Sequence, residues 1–325
     1  MAPTAPHRRS PRSPTRRPGR PVPAVIRRRR AVAALALVAV LALIAGGVRL
    51  LRGGGDGALG VAAFSGVGAW IDVFDWSRSF GGDALVEPPD VEAMADAGVQ
   101  TLYVQGTRAS AEEDVLEPER LEALLDRADE EGMATVAWYV PSLVDPAADL
   151  RRLEALAELD VDAIAVDIEA RDVADPAERN RRLVDLSRDL REALPDVAIG
   201  AVPVAPVLLE VVNPAFWPDF PWADLADSYD TWLPMSYSTE RRADSGFRDA
   251  ERYLTENVTR LRANLDDPRA RVHPIGGLAE DLAVADVEAF VRSARAVGAV
   301  GVSLYDWRTA APELLEPLQP FRRGD

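Results

Sequence analysis

Between residues 61 and 321, apolar runs of about five residues alternate with longer segments whose apolar positions fall three and four apart. Runs of the first kind predict buried strands and segments of the second kind predict amphipathic helices. The strand candidates are Ala69–Phe74, Thr101–Gln105, Thr135–Val140, Ala163–Ile168, Ala198–Val202, Trp232–Ser236, Arg271–Ile275 and Gly301–Leu304. Helical spacing is clearest over Val91–Ala97, Pro118–Glu131, Ala147–Leu159, Pro176–Leu194, Phe247–Leu265 and Val284–Val297, with shorter helices over Trp222–Tyr229 and Pro312–Leu318. Pro118 and Pro176 suit a first helical turn, where no amide donor is needed. Gly98, Gly132 and Gly298 fall just past predicted helix ends. Eight strands alternating with helices over some 260 residues predict an α/β fold, a (β/α)8 TIM barrel. A doubly wound open sheet would carry a Gly-rich phosphate turn after its first strand, which Trp76-Ser77-Arg78-Ser79-Phe80-Gly81-Gly82 does not resemble.

Ahead of this domain the pattern changes. Residues 1–30 are rich in Arg and Pro without apolar periodicity, which predicts a disordered tail. Residues 31–48 are eighteen uncharged positions dominated by Ala, Leu and Val. That length suits one transmembrane helix better than a secretory signal, and no clear cleavage site follows. The arginines before it place the tail in the cytoplasm and the rest outside. The expectation is therefore a signal-anchor helix at 31–48, a Gly-rich linker at 49–60 and an extracytoplasmic barrel at 61–321. If the segment is cleaved, the domain is secreted.

Charge sharpens the division. Twelve arginines and no acid lie in residues 1–52, leaving 25 basic against 53 acidic residues beyond. A domain that acidic repels nucleic acid, so no nucleic-acid partner is expected. The chain has no cysteine and two histidines, His7 and His273. Thiolate chemistry is excluded and a histidine-based metal site or Ser-His-Asp arrangement is disfavoured; no cofactor and no metal are expected. Hard oxygen ligands from Asp72, Asp167, Glu169 and Asp306 form the one metal-dependent alternative.

The candidate chemistry centres on Asp160-Val161-Asp162-Ala163-Ile164-Ala165-Val166-Asp167-Ile168-Glu169-Ala170. Side chains alternate faces along a strand, so Asp167 and Glu169 share one, roughly 6–7 Å apart. Two carboxylates ending an apolar strand are costly to bury, which points to chemistry. Other strand ends supply polar and aromatic groups: Asp72, Asp75 and Trp76 on the first, Gln105 on the second, Trp138 and Tyr139 on the third. The sixth gives Met235 and Tyr237, and the eighth Tyr305, Asp306 and Trp307. Carboxylates beside aromatic platforms suit a sugar cleft, where a proton donor and a negative group act on an oxocarbenium-like state. Trp70 and Trp232 read as core.

Asp162 to Glu169 resembles the Asp-Gly-x-Asp-x-Asp-x-Glu strand-four motif of family 18 glycoside hydrolases, the chitinase-like barrels. Met235-Ser236-Tyr237 is similar to that family's Met-x-Tyr-Asp segment, and Trp307 stands where the family places its pocket-floor tryptophan. The resemblance implies Glu169 as general acid, Asp167 as the partner that orients a substrate acetamido group, Tyr237 as a hydrogen-bond donor and Trp307 as a stacking surface. Three positions depart from the pattern: Ala163 replaces the glycine, Ala165 the middle aspartate and Ser238 the aspartate after the tyrosine. The middle aspartate helps its neighbour hold a proton in the family. Ile71-Asp72-Val73 with Asp167-Ile168-Glu169 also resembles the first- and fourth-strand acids of family 25 muramidases. The expected function is an exported, membrane-anchored glycoside hydrolase acting on a cell-envelope or extracellular polysaccharide. The alternative is a non-catalytic carbohydrate-binding barrel at the cell envelope.

Overall fold

A computed structural model describes residues 58–82 and 85–323. The predicted tail, transmembrane helix and residues 49–57 of the linker lie outside those residues. The last linker positions already belong to the domain, because helix α1 spans Ala58–Ala62. Among the described residues no helix is long and apolar enough to cross a membrane.

The chain then runs β1 (Gly66–Ile71), α2 (Val73–Trp76), α3 (Pro88–Asp96), β2 (Thr101–Gln105), α4 (Pro118–Glu130), β3 (Ala134–Tyr139), α5 (Pro146–Ala157), β4 (Ala163–Ile168), α6 (Pro176–Ala193) and β5 (Ala198–Pro203). It continues with α7 (Trp222–Leu225), β6 (Thr231–Trp232), α8 (Ala250–Asn264), β7 (Ile275–Leu278), α9 (Val284–Ala296), β8 (Gly301–Tyr305) and α10 (Pro312–Leu315). The strand order is β6-β5-β4-β3-β2-β1-β8-β7, and each neighbouring pair in it is parallel. Parallel bridges Trp232–Val272 and Met235–Ile275 join the two edges, so the sheet closes into the expected barrel.

Local chemistry accounts for most boundaries. Proline opens α3, α4, α5 and α6, its fixed φ suiting the first turn. Asp145 and Asp175 cap α5 and α6 by accepting backbone N–H bonds. The buried faces follow helical spacing: Leu121, Leu124, Leu125 and Ala128 on α4, Val287, Phe290, Val291 and Ala294 on α9. These stripes close the outer layer of core against the strands.

Three strands are displaced from expectation: the first runs Gly66–Ile71 in place of Ala69–Phe74, and two more change near β6 and β7. The predicted Trp232–Ser236 is a two-residue strand with later bridges, and Arg271–Ile275 gives way to Ile275–Leu278. Pro234 and Pro274 interrupt both, because neither has an N–H to donate to a ladder. The pairing survives around them: the Ile275 amide donates to Pro234 O and the Ser236 amide to Ile275 O.

Inside the barrel, Trp70, Tyr103, Val136, Trp138, Ala163, Ala165, Val202, Leu233 and Ile275 form one apolar cluster. Trp70 and Tyr103 stack with ring centroids 4.2 Å apart, and Trp138 meets Trp70 edge-on at 5.6 Å. Below them lies a buried polar chain. Trp70 Nε1 donates to Ser303 Oγ at 2.8 Å, His273 Nε2 sits 3.0 Å from the same hydroxyl, and His273 Nδ1 is 2.7 Å from Phe64 O. A carbonyl can only accept, so the ring is the neutral Nδ1–H tautomer and Ser303 donates to Nε2. Burial holds His273 down to about 4.

Candidate active site

Strand β4 sets the geometry. Ala163 and Ala165 face the barrel interior while Ile164, Val166 and Ile168 pack into the outer layer. Asp167 continues the inward row and Glu169 follows it beyond the strand end. Both line a cleft of about 930 Å³ at the C-terminal mouth of the barrel, the end where barrel strands deliver reactive side chains.

The two carboxylates sit in different surroundings. Asp167 is 8% exposed, and its Oδ1 is buried without a hydrogen-bond partner among the described residues. Burial, reinforced by the charge of Glu169, pushes Asp167 well above the usual carboxylate range. Glu169 stands exposed at the mouth, and the protein walls around its carboxyl also raise its pKa. Charges close together cannot both ionise freely, so the pair shares its protons. The Tyr237 hydroxyl is raised by burial and then by the charges of Asp167, Glu169 and Asp306, all of which reach it.

A second arm comes from β1 and β8. Asp72 is the N-cap of α2: Oδ1 accepts from the amides of Phe74 and Asp75 at 2.7 and 3.2 Å, and Oδ2 accepts from the Tyr305 hydroxyl at 2.8 Å. Gln105 Oε1 accepts from the Val73 amide, tying β2 to the same turn. Asp72, Gln105, Trp138, Met235, Tyr237 and Tyr305 therefore line the cleft with Asp167 and Glu169.

Five residues expected at the site do not line it. β1 ends at Ile71 and the chain turns at once into α2, which swings Asp75 and Trp76 away from strand geometry. Trp76 is fully buried in the outer core with Nε1 donating to Gln105 O. Asp75 is pushed up to about 7, chiefly by burial, and lies 3.7 Å from Arg308. Tyr139 faces outward from β3, donating to Asp149 Oδ1 at 2.6 Å. After β8 the Thr309 amide bonds to Asp306 Oδ1, and Trp307 packs on the outer cluster with Val91 and Leu102. In place of Trp307, Trp70 and Trp138 supply indoles to the cleft. Trp70 was legible as an inward residue two positions before Asp72, but the alternation of β1 does not distinguish core from cleft floor.

Other lining residues carried weaker signals. Phe74 is half exposed, with the Arg108 guanidinium 5.0 Å from its ring and 5.1 Å from that of Phe80. Arg152 and Asp149 line the β3 side, where Asp149 also accepts from the Leu143 amide. Among the described residues no group of three or more His, Asp or Glu side chains is placed to hold a metal ion.

No family model matches the chain, and no curated protein matches it. Solved structures do. A mutant family 18 chitinase from Cycas revoluta, in complex with (GlcNAc)4, superposes with a TM-score of 0.60 at 11% identity, covering 79% of this chain and 99% of that one. A family 18 N-acetylglucosaminidase from Paenibacillus barengoltzii gives 0.56 at 11%, over 79% and 99%. The spore cortex-lytic enzyme SleL of Bacillus cereus gives 0.58 at 10%, over 78% and 73%. The fold is a (β/α)8 barrel like that of the family 18 chitinases, and at these identities the likeness is one of fold.

Proposed function

We propose that the chain is a glycoside hydrolase acting on a cell-envelope or extracellular polysaccharide, exported and held at the membrane by residues 31–48. One observation carries the reading: Asp167 and Glu169 continue the inward row of β4 into a cleft walled by Trp70 and Trp138. Glu169, with its raised pKa, keeps a proton to give to the glycosidic oxygen. Asp167 is the buried partner whose charge state is tied to it, and Tyr237 is the hydroxyl beside both. Trp70 and Trp138, buried side by side under the carboxylates, give the cleft an apolar base. The barrels this fold resembles include enzymes whose names place them on chitin and spore cortex, which supports the substrate class.

The test is turnover of chitin oligosaccharides, peptidoglycan and α- and β-glucans by the wild type and Glu169→Gln. The expected result is reducing-end release from one of them, lost in the variant while binding persists. A variant that cleaves as fast as wild type refutes the assignment. Ala165 and Ser238, where the resembled motifs carry acids, favour a second reading: a non-catalytic carbohydrate-binding barrel. Binding without release across the panel selects it.

A further inference from the structure

Carboxylates dominate the cleft. Six of them and two arginines line it, and the arginines are held by other groups. Arg108 lies over Phe74 and Phe80, while Arg152 donates to Ala111 O and lies over Tyr139 beside Asp149. Arg308 faces Asp75. Of the acids around the floor, Asp72 accepts from the Tyr305 hydroxyl and two amides. Asp167 and Glu169 have no arginine acting on them among the described residues.

Asp167 is the sharpest case. It is more than nine-tenths buried, lines the cleft, and its Oδ1 has no donor. Directly beneath it the inward row offers the methyl groups of Ala165 and Ala163, set among aromatic and aliphatic side chains. A buried carboxylate oxygen without a donor is expensive, and the cost is relieved by whatever brings it a hydrogen bond and a positive charge. A metal ion would need ligands in a converging set, and no such set is present among the described residues. An organic ammonium needs only one or two acceptors and carries three donors. A neutral acetamide would bring one N–H and leave the acidic floor uncompensated.

Resting on the glycan-cleft reading above, we infer that the site selects a sugar bearing a free amine, a 2-amino-2-deoxyhexose ammonium placed against Asp167, over its N-acetylated counterpart. The substrate class is then a partly or fully de-N-acetylated amino-sugar polymer. The acidic domain surrounding the mouth favours the approach of such a polycation.

The experiment compares matched tetramers, fully acetylated and fully de-N-acetylated, titrated calorimetrically at neutral pH into the full chain held in detergent. The expected result is binding of the free-amine tetramer about tenfold tighter, the scale of one charge-assisted hydrogen bond. Asp167→Asn brings the two tetramers level, and Glu169→Gln, a change at an exposed position that leaves the fold intact, narrows the gap. Equal or tighter binding of the acetylated tetramer overturns the inference and leaves the glycan reading standing. Binding of neither overturns both. A preference that survives unchanged in both variants assigns it to the general acidity of the domain and overturns the inference.

Discussion

The buried chain Trp70–Ser303–His273–Phe64 makes a quantitative prediction about stability. His273 is fully buried and must stay neutral, since Nδ1–H donates to Phe64 O and Nε2 accepts from Ser303. Protonating Nε2 turns that acceptor into a donor facing a hydroxyl that already takes the Trp70 N–H. The ring is held down to about 4, against 6.5 when unfolded. A depressed histidine contributes stability that is fully present above its unfolded pKa and is lost as pH falls towards the folded value. At 1.36 kcal/mol for each pH unit between the two, the loss is about 3 kcal/mol from pH 6.5 to 4. Asp75, Asp149, Asp167 and Glu169 are shifted upward. Their protonation favours the folded state as pH falls, so the raw curve of the wild type mixes both signs. The assay therefore subtracts: urea unfolding of wild type and His273→Gln across pH 8 to 4, with the carboxylates common to both. The variant starts less stable, and its deficit shrinks by about 3 kcal/mol over that window. A difference that stays constant with pH refutes the tautomer and the account of this network.

The cleft yields further expectations. The raised pKa of Glu169 means that its acid form survives to higher pH than a free glutamate's, and kcat/KM falls as pH rises through that titration; a profile flat to alkaline pH removes Glu169 as proton donor. Trp138 Nε1 is buried without a partner, so Trp138→Phe should change unfolding stability by less than about 1 kcal/mol while weakening oligosaccharide binding; unchanged affinity takes Trp138 out of the binding wall. Tyr139→Phe removes the donor to Asp149, the carboxylate that also holds the Ser142 and Leu143 amides, and should cost about 1–3 kcal/mol in urea unfolding. A loss within error would show that Asp149 finds another donor.

How much of this was legible depended on whether the relevant neighbours lay along one strand. Ala163 to Glu169 displays its two faces in the sequence itself, since alternation alone separates Ile164, Val166 and Ile168 from Ala165 and Asp167. The β1 end misled because the capping box of Asp72 and Asp75 converts the next four residues into a helical turn, and the pattern of a strand cannot foresee where its own ladder stops. Trp307 misled in the same way, the 306–310 turn redirecting it outward. The His273 network was invisible for a different reason. Its members come from the turn before β1, β1 itself, β8 and the segment before β7, more than 200 residues apart at the extremes, and only barrel closure brings them together.

That distribution of polar groups bears on how the acid pair works. The barrel interior spends its buried hydrogen bonds low down, on His273, Ser303 and Trp70. It leaves the layer under Asp167 to alanine, valine and aromatic side chains. In the resembled strand-four motif an acid at the Ala165 position shares the proton of the next acid. Here desolvation and the charge of Glu169 take its place as the causes of the raised pKa. A proton held by desolvation is released when a cation or a donor arrives, whereas one held in a hydrogen-bonded acid pair is retained. Ligand binding should therefore displace protons from the Asp167–Glu169 pair, and calorimetry of the same titration in buffers of different ionisation enthalpy reads that release directly. A binding enthalpy independent of buffer would mean that the pair keeps its proton, and that the apolar layer under Asp167 has no part in setting its charge.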